Sequence, residues 1–110
     1  MDIDERTENG ITIFTLQGRI DTRGAVDLDL ALQEAVMAGK YKMVLDMSGV
    51  RYISSAGLRT LADVLTKNRE NDGDLKLVAL PVKVMRVLQI IGFDNFFSMY
   101  DSAEAAAADF

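Results

Sequence analysis

Apolar positions recur along this chain with two periods, and the changes from one period to the other divide it into elements. Ile3 to Thr7 and Ile11 to Leu16 are short runs of apolar and β-branched residues separated by Glu8-Asn9-Gly10. Asn-Gly supplies the positive φ angles of a tight turn, so the two runs are expected to pair as an antiparallel hairpin. The second closes at Gln17-Gly18-Arg19-Ile20-Asp21, where Gly18 marks a bulge or a close backbone approach and Thr22 offers a helix cap. From Arg23 to about Ala38 the period lengthens: Ala25, Leu28, Leu32, Ala35 and Val36 share one helical face, and Gly39 stops the helix. The same helix carries a second, narrower stripe, Val26, Leu30 and Met37, set apart by Asp29 and Gln33. The ordinary expectation is that another segment of the chain covers this stripe. The alternative is a contact patch for a partner or for a second copy in a weak homodimer.

Tyr41 to Met47 reads as the next strand, and its unalternating Met43-Val44-Leu45 predicts burial on both faces, as in a parallel strand covered by helices. A helix follows from Ala56 to about Asn71, with Leu58, Leu61, Ala62 and Leu65 inward, and Asn71-Asp72-Gly73-Asp74 turns the chain. Leu75 to Leu80 is a further strand, and Pro81 stands where a helix can begin without losing an intrahelical hydrogen bond. That helix turns Val84, Val87, Leu88 and Ile91 inward and ends at Gly92. Phe93, Phe96, Phe97, Met99 and Tyr100 form an aromatic-rich cluster read as core packing or a last short strand, and Asp101-Ser102 caps a final alanine-rich helix. The order β-β-α-β-α-β-α-(β)-α predicts an α/β fold: a mixed four- to five-stranded sheet with about four helices packed against it, in one domain spanning residues 1–110.

If the strands ending near Asp21 and Asp46 are joined by a right-handed helical crossover, they run parallel and end on the same edge of the sheet. Asp21, Asp46 and the Ser54-Ser55 helix start are then expected to share one rim, where open α/β sheets place their sites. Either Ser54 or Ser55 can cap the helix, since a serine oxygen accepts a hydrogen bond from the free N–H groups of a first turn.

Composition removes most chemistry from that rim. The chain has no cysteine and no histidine, which excludes thiol nucleophiles, thiolate metal sites, Ser-His triads and imidazole acid/base catalysis. Asp21 and Asp46 have no accompanying nucleophile, cation clamp or phosphate-binding glycine loop, and two carboxylates alone are a poor metal site. No enzymatic activity, cofactor or metal is expected. Seventeen acidic residues against 12 basic give a net charge of -5, which is not the basic footprint of a nucleic-acid binder. The acidic Met1-Asp2-Ile3-Asp4-Glu5 does not read as a signal peptide, and no apolar run is long enough to span a bilayer, so a cytoplasmic protein without membrane insertion is expected.

Several stretches in order resemble the STAS domain of bacterial anti-sigma-factor antagonists. They are Leu16-Gln17-Gly18-Arg19-Ile20-Asp21, Val44-Leu45-Asp46-Met47-Ser48, Ile53-Ser54-Ser55-Ala56-Gly57-Leu58, Lys76-Leu77-Val78 followed by Pro81, and Leu88-Gln89-Ile90-Ile91-Gly92-Phe93. The resemblance covers nearly the whole chain and implies the STAS fold. It implies that Ser55, two residues before Gly57, is a phosphoacceptor for a serine protein kinase that is also the anti-sigma factor. By the same resemblance a serine phosphatase reverses the modification, and the protein regulates sigma-factor-dependent transcription by partner switching. Asp21, Asp46, Ser54, Ser55, Ala56 and Gly57 are then the expected partner-binding residues. Two positions depart from the family pattern: Ser54 stands where many members have an acidic residue, and Ala56 where many have a second hydroxyl. STAS domains also serve as subunits of transporters and of stress-signalling complexes, which is the alternative role.

Overall fold

In the computed structural model, which describes residues 1–110, Asn9 and Gly10 take φ angles of 53° and 78°. That is the positive pair a two-residue hairpin needs, and it brings Glu8 opposite Ile11 in an antiparallel pairing of β1 (Asp2–Glu8) with β2 (Ile11–Ile20). β2 pairs in parallel with β3 (Lys42–Ile53), β3 with β4 (Asp74–Val78), and β4 with the two-residue β5 (Met99–Tyr100). The sheet is thus mixed and five-stranded, in the order β1-β2-β3-β4-β5. Its connections are α1 (Thr22–Met37), α2 (Ser55–Glu70) and α3 (Val82–Ile90) with a short 3-10 turn (Phe93–Asn95), and α4 (Ala103–Ala108) closes the chain.

Each face of the sheet has its own core. On one, Phe14, Leu16, Leu45 and Leu77 pack with Leu28 and Leu32 of α1, Leu61 of α2 and Val84 and Leu88 of α3. On the other, Ile11, Ile13, Val44 and Val78 pack under Ala106 of α4. This explains Met43-Val44-Leu45: all three are fully buried because alternate side chains enter different cores.

Lys76 lies under α4 and is almost completely buried. Its Nζ donates to the Ala106 carbonyl (3.1 Å) and sits 3.8 Å from the Phe110 ring centroid and 5.0 Å from that of Tyr100. The carbonyl belongs to the last turn of α4, where cations are favoured, and the two ring faces add cation–π attraction. Burial nevertheless pushes the Lys76 ammonium below the ordinary lysine range.

Two expectations change here. β2 continues past Leu16 to Ile20, and β3 continues past Met47 to Ile53. The pairing steps from Thr15 opposite Asp46 to Gln17 opposite Gly49, then from Gly18 opposite Val50 to Arg19 opposite Tyr52. At each shift β3 contributes one more residue than β2, which bends the ladder and breaks the period-two alternation that marks a strand in sequence. Gly49 fits the first bulge because a Cβ there would lie 2.8 Å from both Gln17 Cγ and the Leu16 carbonyl oxygen. The second change concerns the α1 stripe. Val26, Leu30 and Met37 are 57%, 61% and 79% exposed, so no other segment covers them.

Candidate functional site

β2 and β3 end together: Ile20 and Ile53 are register partners, and from them the chain passes into α1 through Asp21 and into α2 through Ser54. The Ser54 N–H donates to the Ile20 carbonyl (2.7 Å), which ties the two helix starts to each other. Two helix N-termini therefore stand side by side, each capped by its own side chain. Asp21 Oδ1 accepts from the Gly24 N–H (2.8 Å), and Ser54 Oγ accepts from the Gly57 N–H (3.2 Å). Asp21, not Thr22, is the cap of α1, because its backbone is extended while Thr22 is already helical.

Ser54 performs the capping, which leaves Ser55 as the first residue of α2, exposed and outside the cap. Ala56 beside it is also exposed. Gly57 is buried: a Cβ there would lie 2.5 Å from Ile20 Cγ2 and 3.1 Å from Ile53 Cγ1. Its contribution is to let the helix start press onto the strand ends, so it sets the position of Ser55 and presents no surface of its own.

Asp46 does not share this rim. It lies within β3 opposite Thr15 and Val78, and its carboxylate accepts from both the N–H (3.0 Å) and the hydroxyl (2.7 Å) of Ser48. At about 3.3 Å per strand residue it stands on the order of 20 Å from Ile53 along β3. The expected rim holds for Asp21, Ser54 and Ser55 and fails for Asp46, because Asp46 is level with the end of the short β4 and β3 runs on beyond it.

Val26 and Leu30 of α1, with Ala56 and Thr60 of α2, line a shallow groove between the two helices. Its Ala56 directly follows Ser55, and its apolar wall includes Val26 and Leu30 of the uncovered stripe. A neighbouring feature carried no signal in the sequence: the Arg19 guanidinium lies 4.5 Å above the Tyr52 ring, in a register pair that exists only after the two bulges.

The hydrogen bond from Gly24 N–H holds the Asp21 carboxyl below the usual carboxylate range; desolvation opposes the shift and the charge of Arg19 assists it. A depressed folded-state pKa contributes stability that is present above the unfolded value of 3.8 and is lost as pH falls through the folded value. Replacing Asp21 by alanine is expected to lower the thermal midpoint at neutral pH, and the difference from wild type should shrink as the pH is taken below 3.8. Thermal melts at a series of acid pH values measure this, and a constant difference across the series would contradict it.

The family profile described as the STAS domain matches residues 2–106. BtrV of Bordetella bronchiseptica, a proposed anti-sigma factor antagonist, is 39% identical over 102 residues, covering 93% of this chain and 88% of its own length. The solved structure of an anti-sigma factor antagonist from Mycobacterium paratuberculosis superposes with a TM-score of 0.88 at 25% identity, over 98% of this chain and 92% of its own. SpoIIAA, an anti-sigma factor antagonist of Bacillus, shares the fold at 14% identity with a TM-score of 0.77 in its unphosphorylated form, over 98% of this chain and 96% of its own. Its phosphorylated form gives 0.76 at 15% identity, over 98% and 97%. No helix of the present chain is long and apolar enough to cross a membrane. With its two tied helix starts, its exposed Ser55 and these relatives, the chain belongs to the STAS domain family and is kin to the anti-sigma factor antagonists.

Proposed function

We propose that the protein is a cytoplasmic anti-sigma factor antagonist that works by stoichiometric binding and not by turnover. With Ser55 unmodified it holds a cognate anti-sigma factor, itself a serine protein kinase. Phosphorylation of Ser55 by that kinase releases it, and a serine phosphatase restores binding. The observation that carries this reading is the division of labour at the start of α2: Ser54 is held as the cap, which leaves Ser55 exposed and next in sequence to Ala56 of the α1–α2 groove. A kinase needs an accessible hydroxyl, and a binding partner needs desolvated apolar area; this corner offers both. That a protein of the same fold has been solved in phosphorylated and unphosphorylated forms supports the reading. Incubation with the cognate kinase and ATP, followed by mapping of the modified residue, tests it. Modification of Ser54 in place of Ser55 would refute the assignment.

The uncovered stripe supplies a second test. Replacing Leu30 by glutamate places a charge on the groove wall at a position already 61% exposed, so the fold should melt at the wild-type temperature. Partner affinity should fall by roughly tenfold or more, because an interface that excludes water must then bury an unpaired carboxylate. Titration calorimetry with the purified partner measures the loss; unchanged affinity would remove the groove from the interface. A second copy of the chain on the same stripe is distinguished by sedimentation of the protein alone.

A further inference from the structure

Beside the start of α1, and lined by different residues from that groove, a second and very different pocket is open at the surface. Arg19, Arg23 and Arg51 line it, with Gln17, Gly18, Gly24 and Gly49 between them. Three of the 12 basic residues of an acidic chain thus face one pocket. The ion pairs of Arg6, Lys40 and Arg69 lie outside this pocket, and the terminal amine of Met1, which does line it, pairs with Asp27. Arg19, Arg23 and Arg51 are exposed and take part in none of them.

The fold brings these three arginines to one pocket by independent means. Arg19 is held over Tyr52 at the second bulge, Arg51 comes from β3 at the same bulge, and Arg23 comes from the first turn of α1. The glycines allow the close backbone approaches that shape the pocket. A Cβ on Gly24 would run into the Arg19 carbonyl oxygen, one on Gly49 would meet Gln17 and the Leu16 carbonyl, and Gly18 has a φ of 116°. The pocket also contains two carboxylates, Asp2 and Asp21. Asp21 is engaged by the Gly24 N–H as the α1 cap, and Asp2 is an exposed residue of the edge strand β1. The positive end of α1 faces the same space.

We infer that this pocket is an oxyanion site for a phosphate group, with Arg23 and Arg51 donating forked hydrogen bonds and Arg19 fixed by its stack on Tyr52. Guanidinium forks match phosphate geometry, and a stacked guanidinium keeps its N–H donors free at its edge. The site stands apart from Ser55 and does not depend on whether that residue is switched.

Titration of the 15N-labelled chain with inorganic phosphate and with glycerol 3-phosphate, each against chloride at matched ionic strength, tests the site. Saturable shifts of the Gly18, Gly24 and Gly49 amides are expected with phosphate and not with chloride. Equal affinity for both ligands assigns recognition to the phosphate group itself, and tighter binding of the ester assigns it to a phosphate carried on a larger molecule. Arg23→Gln and Arg51→Gln should each weaken binding by roughly tenfold, while Arg59→Gln on α2, outside the pocket, should not. All three positions are exposed, so the variants should melt like the wild type. The inference is overturned if phosphate and chloride give the same shifts, or if the two pocket variants bind as tightly as Arg59→Gln.

Discussion

Phosphorylation of Ser55 is expected to weaken partner binding by at least about a hundredfold and to leave the fold intact, the first corresponding to roughly 2.7 kcal/mol of lost affinity. The modification adds about -1.5 to -2 charges at neutral pH. In the free protein these are well tolerated, since Ser55 is exposed in the first turn of α2, where the backbone N–H groups and the helix dipole favour an anion. In the complex the same charge must be desolvated against the groove wall of Val26, Leu30 and Ala56, at an effective penalty of several kcal/mol per ion. The difference between those environments is the switch. Asp46 adds nothing to it, because it lies far down β3. Ser55→Ala should bind permanently. Ser55→Asp should bind poorly but better than the phosphoprotein, since a carboxylate carries less charge. Calorimetry on the four proteins decides the matter, and a phospho-Ser55 chain that binds as tightly as the unmodified one ends the proposal.

Gly57→Ala is expected to lower stability by about 1–3 kcal/mol through overpacking, which for a domain of this size is roughly 5–15 °C in thermal midpoint. The added methyl would meet Ile20 Cγ2 at 2.5 Å and Ile53 Cγ1 at 3.1 Å. Ile20 is fully buried and Ile53 nearly so, and the Ser54–Ile20 hydrogen bond clamps the backbone beside them. Relief therefore requires the start of α2 to lift from the strand ends, which also moves Ser55 relative to the groove. A slower rate of modification by the kinase should accompany the lower melting temperature. Equal thermal midpoints for Gly57→Ala and wild type would show that the contact does not constrain the helix.

These two residues also mark what sequence conveys about such a site. Features decided by neighbouring residues are legible: the Asn9-Gly10 hairpin, the doubly buried Met43-Val44-Leu45, the inward Val84 and Leu88, and the Ser102 cap of α4, whereas Ile91, expected on the same inward face, caps the end of α3 and is exposed. The serine pair at the start of α2 is visible too, but which of the two caps depends on the extended backbone of Ser54, and sequence leaves both open. The same ambiguity hides Asp21 behind Thr22 as the cap of α1. The extension of β2 and β3 is hidden for another reason. Bulges between Met47 and Ile53 reverse the facing of side chains, so the stretch has no single period to detect, and Asp46 reads falsely as a strand end. Coverage of Val26, Leu30 and Met37 is a property of the whole tertiary arrangement. A periodic stripe looks the same whether or not anything lies on it.

The sheet has its strands in chain order, and this bears on how the protein is made. Each strand, as it leaves the ribosome, finds its neighbour already in place, so the sheet can lengthen across one moving edge and never needs a later strand inserted between earlier ones. That edge is an aggregation hazard while it is open, since its unpaired N–H and C=O groups can template another chain. The first edge, β1, carries Asp2, Asp4, Glu5, Arg6 and Glu8 at exposed positions, which discourages a foreign strand. The last edge is closed by brevity: β5 has two residues, and α4 packs beside it. Translation products that stop before Met99 are therefore expected to aggregate along a bare β4, whereas chains that include β5 and α4 stay dispersed.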